Sequence, residues 1–144
     1  MSATAAVVSK TPWHVWVVGV LVILWNGSGA FTIMSAQAGM LPNISPDEAA
    51  YYAAQPLWLV ISTDIALISA IAAGVALLLR SRAAVWLFAL SLAAILLNDS
   101  YELINGTSRM FANQRALIVT CIILVLAILE LVYARAMAKR GVLK

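Results

Sequence analysis

The run LLNDSYELING, residues 96–106, sets Asn98, Asp99 and Glu102 within a single stretch at the far end of a long oily segment. Carboxyl and carboxamide groups gathered in an apolar setting can bind a cation, pass a proton or hydrogen-bond a small solute. The same residue types also mark, in the ordinary case, the point where a helix leaves the membrane, with Asn105-Gly106 ending it by a left-handed cap. Asn26 and Asp64 lie deeper in oily runs of their own. Asp64 has Ile61, Ile65 and Leu67 as neighbours and so is no exit residue. An ionised carboxylate facing lipid at such depth is costly, which directs Asp64 toward a bundle interior, a water-filled cleft or a partner. Its plainer role is a structural hydrogen bond to Asn26, Asn98 or a backbone carbonyl.

Those residues need elements to hold them, and composition says which kind. The chain is 64% hydrophobic and 10% charged, where globular proteins average about 25% charged. Four apolar segments, approximately 13–34, 57–79, 83–103 and 116–137, are each long enough for a hydrocarbon core that needs about 20 residues. Lone segments satisfy their backbones in lipid only as helices. The expected fold is therefore all-α: one polytopic domain over residues 1–144, an antiparallel bundle of four transmembrane helices. The turn of Arg80, Ser81 and Arg82 forces the second and third spans into a hairpin. Lys10, Arg80, Arg82, Arg135, Lys139, Arg140 and Lys144 fall on one side, leaving Arg109 and Arg115 on the other. By the positive-inside rule the crowded side is expected to be cytoplasmic and to hold both termini.

Counting 1.5 Å per residue inward from the outer ends puts Asp99 about 6 Å deep, Asp64 about 10 Å and Asn26 about 12 Å. Three helices thus bring polar groups to one outward-facing layer, with Ser62, Thr63 and Asn98 nearby and Glu102 at its rim. Over this layer Ser45-Pro46-Asp47-Glu48 supplies an N-cap serine, a proline at the first helical position and a glutamate three after the cap. That signature starts a short helix, which Pro56 stops. With Tyr51, Tyr52 and Trp58, it reads as an interfacial helix, either a lid over a pocket or a plain connector.

Elsewhere the polar residues carry less chemistry. Glu130, in the inner half of the fourth span, is expected to form a fixed internal ion pair with Arg135 or a hydrogen bond. His14 lies between Trp13 and Trp16 as an aromatic-belt residue, since no second histidine, and no pair of cysteines beside the lone Cys121, completes a metal or haem site. No cofactor or metal is expected, no hydrolase, metalloprotease or phosphate-loop motif is present, and the basic residues flank apolar spans rather than forming a nucleic-acid patch. An enzyme is accordingly the least favoured class. Lys10, an apolar stretch and Ala36-Gln37-Ala38 imitate a cleavable signal peptide. The stretch nevertheless exceeds the 7–15 residues of a signal core and contains Trp25 and Asn26, so the first helix is expected to stay.

Helix packing has a clearer signature. Ser62, Ala66, Ala70 and Gly74 recur every fourth residue, a small-residue seam for close approach of another helix. Ala89 and Ala93 offer a shorter one, and Trp25-Asn26-Gly27-Ser28-Gly29 loosens the first helix or admits a neighbour.

The runs LWNGSGAF, AAQPLWLVIS, GVALLLRSRAAVWLFALSL and ARAMAKRG resemble those of a family of small four-helix bacterial inner-membrane proteins, some labelled sugar transporter. The resemblance spans most of the chain and implies the four-helix fold and a transport class, with no site residues attached. Small multidrug transporters are of similar size but place an essential glutamate in the first helix, where this chain has Asn26. Two functions are thus in view. One is a transporter, oligomeric because one four-helix bundle has little interior, with Asn26 and Asp64 lining a polar pocket and Asp99 and Glu102 at its mouth. The other is an accessory or scaffold subunit that uses the 62–74 seam to hold a larger membrane protein. Lipid is the expected surrounding in both.

Overall fold

Caps and prolines divide the chain into its elements. In the computed structural model, which describes residues 11–108 and 113–144, five α-helices follow in order: α1 His14–Gln37, α2 Pro46–Ala54, α3 Leu57–Leu78, α4 Ala83–Ile104 and α5 Gln114–Lys139. Lys10 and Arg109, two members of the charge pattern, lie outside the described residues. Helices α1, α3, α4 and α5 are each long and apolar enough to cross a membrane, as an integral membrane protein requires. No strand occurs among the described residues.

Helix α2 begins as its sequence dictates. The Ser45 hydroxyl accepts from the Glu48 amide at 3.2 Å, and the Glu48 carboxylate accepts from the Ser45 amide at 3.5 Å, so two otherwise orphaned donors are satisfied reciprocally. Pro56 then separates α2 from α3 and caps the latter in an extended conformation. At the end of α4, Gly106 takes φ of 66°, the left-handed position where a residue with no Cβ is unstrained. Asn113 caps α5 by accepting from the Ala116 amide at 2.8 Å.

Helix α3 is the centre of the packing, against α1 on one side and α4 on the other, while α5 packs on α4. Its seam is what allows this. Ser62, Ala66, Ala70 and Gly74 are all buried. A Cβ placed on Gly74 would stand 2.8 Å from Ile23 and 3.1 Å from Val22 of α1, and one on Gly19 of α1 would stand 2.4 Å from Leu78. On the other flank, Ser91 of α4 donates to the Ala66 carbonyl at 2.8 Å. The seam is thus filled by two helices of the same chain. On α4 the buried face is Ala84, Phe88, Ser91 and Ala94, whereas Ala93 of the expected 89–93 seam is exposed. Helix α1 runs unbroken through Gly27 and Gly29, and its close approach to α3 is made at Gly19 instead.

The apolar core is concentrated at one end. Val15, Leu77, Ala84, Phe88, Ala134 and Met137 cluster where α1 and α4 begin and α3 and α5 end. Residues 141–144 complete this cluster in a way that local sequence pattern does not foretell. The chain turns back from α5 so that the Lys144 amide donates to the Arg80 carbonyl at 2.7 Å and the Arg82 amide donates to the Lys144 carbonyl at 3.0 Å. The Arg80 and Arg82 guanidinium groups donate to the Val142 and Leu143 carbonyls at 3.3 and 3.4 Å. Leu143 is inserted to 1% exposure beneath them.

Candidate functional site

The half of the bundle nearer α2 is built differently. Where the opposite half has Leu77, Phe88 and Leu143, this half carries Ser62, Thr63 and Asp64 on α3, and Asn98, Asp99 and Glu102 on α4. The two helices are joined by a short polar chain: Asn98 Nδ2 donates to Thr63 Oγ1 at 3.0 Å, and Thr63 Oγ1 donates to the Leu59 carbonyl at 3.0 Å. The threonine hydroxyl serves as acceptor and donor at once, which places the Asn98 side chain firmly. That leaves Asn98 Oδ1 buried with no hydrogen-bond partner among the described residues. One residue along α3 from Thr63, Asp64 Oδ1 is likewise buried and unpartnered among the described residues. Neither Asn26 nor Asn98 donates to Asp64: the first bonds to Glu130 and the Val22 carbonyl, the second to Thr63.

Helix α2 is fastened over this region. The Tyr51 hydroxyl donates to a Glu102 carboxylate oxygen, and Trp58 at the start of α3 meets the edge of Tyr101 with ring centroids 4.7 Å apart. Burial, reinforced by the adjacent Glu102 carboxylate, pushes the Tyr51 hydroxyl well above the ordinary tyrosine range. The phenol therefore remains a donor at any neutral or mildly alkaline pH. Glu102 is thus engaged by α2. Asp99 is partly buried and makes no hydrogen bond among the described residues.

Of the residues expected in this layer, the structure brings together Thr63, Asn98 and, through α2, Glu102; it does not bring Asn26. Asn26 faces α5, where its Nδ2 donates to Glu130 Oε1 at 3.2 Å and to the Val22 carbonyl at 3.0 Å. Depth counting gives height along a helix but not the direction a side chain points, and Asn26 is turned to Glu130 of α5. Of the two contacts expected for Glu130, an ion pair with Arg135 or a hydrogen bond, the one present is this hydrogen bond. Five residues along a helix is about 140° of rotation, so the two side chains leave α5 on different sides and Arg135 is exposed.

The contact of Asn26 with Glu130 is one of two side-chain hydrogen bonds between α1 and α5 among the described residues. The other is His14, whose Nδ1 shares a hydrogen bond of 2.5 Å with the Tyr133 hydroxyl, the rings meeting edge to face at 5.8 Å. Alongside the bridges runs a groove of about 710 Å³, lined mostly by apolar side chains including Leu21, Trp25, Leu126 and Leu129, with Glu130 among them. No group of three or more histidine, cysteine or acidic side chains suited to a metal occurs among the described residues, and Cys121 is exposed on α5. No protein-family profile, curated protein or solved structure matches the chain.

Proposed function

We propose that this chain is a small membrane transport protein whose antiparallel four-span bundle binds a cation or a donor-bearing small solute in the polar layer of α3 and α4, beneath α2. The observation that carries this reading is the pair of buried, unpartnered acceptors, Asp64 Oδ1 and Asn98 Oδ1. A buried acceptor left without a donor costs about 1–3 kcal/mol, and such groups are rare unless a ligand, ion or water completes them. Both atoms are acceptors, so their natural complement is a cation or a hydroxyl or amine donor. In this reading α2, fastened by Tyr51 to Glu102, is the lid on the outer face, and the Arg80–Arg82 turn and residues 135–144 lie on the cytoplasmic side of a bacterial inner membrane. Several copies would be needed to build a full path, because one bundle of this size encloses little space.

The accessory-subunit alternative depended on the 62–74 seam being available to another protein. Helices α1 and α4 of the same chain occupy it. A ligand-stabilisation screen of the purified protein, using alkali and alkaline-earth cations and a set of monosaccharides, tests the transport reading. One of these classes should raise the melting temperature of the natural chain, by an amount corresponding to about 2.7 kcal/mol at a hundredfold excess over Kd, and should do so far less in Asp64→Asn. Stabilisation of equal size in both proteins would place the ligand elsewhere.

A further inference from the structure

The groove between α1 and α5 lies on a different pair of helices from the Asp64 layer and combines two features that do not ordinarily occur together. Its walls are oily: Val18, Leu21 and Trp25 on α1 face Leu126, Leu129 and Val132 on α5. Midway along it sits a carboxyl group. Glu130 Oε1 is held by the Asn26 amide, and Oε2 has no partner among the described residues and is not sealed inside the protein. A carboxylate in a membrane-embedded cleft of this kind needs a complementary group, and Asn26, a neutral donor, answers only one of its oxygens. Two basic side chains line the groove, His14, which is held by Tyr133, and Arg140, ten residues on from Glu130 and about 15 Å away by helical rise; neither bonds to Glu130. The opening left beside Glu130 is therefore suited to a positive charge carried on an apolar body.

From this charge complementarity we infer that the α1–α5 groove is a binding site for lipophilic organic cations, with the cationic centre at Glu130 and the hydrophobic body against Trp25, Leu21 and Leu129. The size fits, since sites for small organic molecules span roughly 300–1,000 Å³. Trp25 adds a π face that attracts a desolvated cation. A plain lipid tail would match the walls but would leave the carboxyl group facing hydrocarbon. The inference does not rest on the proposed solute layer, because neither Asp64 nor Asn98 lines the groove.

The test uses the full chain in nanodiscs of neutral phospholipid and a matched pair of probes, tetraphenylphosphonium and tetraphenylborate, close in shape and opposite in charge. The natural protein should bind the cation saturably and at least about tenfold more tightly than the anion, and Glu130→Gln should abolish that preference. Leu129→Trp, which fills the groove and leaves the Asn26–Glu130 bridge in place, should weaken binding of the cation by a similar factor. That second variant keeps the inference testable if Glu130→Gln fails to fold. Equal affinity for the two probes, or cation binding unchanged in both variants, would overturn the proposal. So would cross-linking of cysteines placed at Leu21 and Leu129 between two copies with no cation bound, since the groove would then be an interface between copies of this chain.

Discussion

Tyr51 and Glu102 show how much one side chain on a short helix can decide. Their contact ties α2 directly to α4, while the backbone of α2 packs on α1. Tyr51→Phe removes one charge-assisted hydrogen bond, a change worth about 1.5–3 kcal/mol where such a bond is shielded and less where water reaches it. The expected outcome is faster amide exchange in residues 46–54 with little change in α3 and α4. Because burial and Glu102 raise the folded-state pKa of Tyr51, the stabilisation is present in full below about pH 10, the pKa of an unfolded tyrosine. It is lost as pH rises above that value. Ultraviolet titration of the four tyrosines should therefore show a late-ionising fraction that shrinks in Tyr51→Phe. An unchanged titration curve would mean that Tyr51 is not so held. At this scale the sequence was only partly legible. It disclosed that Asn98, Asp64 and Glu102 share a half of the bundle, because height follows from counting residues along a helix. It did not disclose that Asn26 turns to Glu130, because that depends on how α1 is rotated against α5, and α1 is apolar on nearly every side.

Element packing was easier to read, since a four-residue spacing of small side chains puts them on one helical stripe whatever lies opposite. Ser62, Ala66, Ala70 and Gly74 form that stripe, and α1 approaches so near that its own Gly19 is needed. What the spacing could not reveal was the identity of the neighbour, whether another protein or, as found, two helices of this one. Gly74→Leu would drive four heavy atoms into Val22 and Ile23, and overpacking of this kind costs about 1–3 kcal/mol. Ala72→Leu, at a partly exposed position, should be milder. Thermal unfolding in detergent should separate the two variants clearly, with Gly74→Leu the lower. Equal losses would remove any special status from the stripe. The starts of α2 and α3 were legible for a different reason: a capping box and a proline act through local backbone geometry and need no tertiary information.

Across the whole molecule there are two unlike halves. One is tightly packed with Leu77, Phe88 and Leu143 and closed by residues 141–144; the other is polar and has unmatched acceptors. The docking of 141–144 was not legible, because four residues beyond a helix carry no periodicity and the basic residues around them signal topology rather than contact. Leu143→Ala should lower stability by about 2–3 kcal/mol, as expected of a fully buried leucine, and should leave α2 unaffected. A loss near zero would show that this segment is not part of the folded core. A rigid half supporting a polar half is what a solute site needs, since acceptors can be kept unpaired only where the surrounding helices cannot collapse onto them. The claim that Asp64 and Asn98 are such acceptors is tested most directly by solute-driven uptake or current in proteoliposomes, comparing the natural chain with Asp64→Asn for the cation or sugar that stabilises the purified protein. The natural chain should give a saturable signal that falls by about tenfold or more in Asp64→Asn, with the variant still monodisperse and folded. A signal of equal size and half-saturation in the two proteins would contradict it.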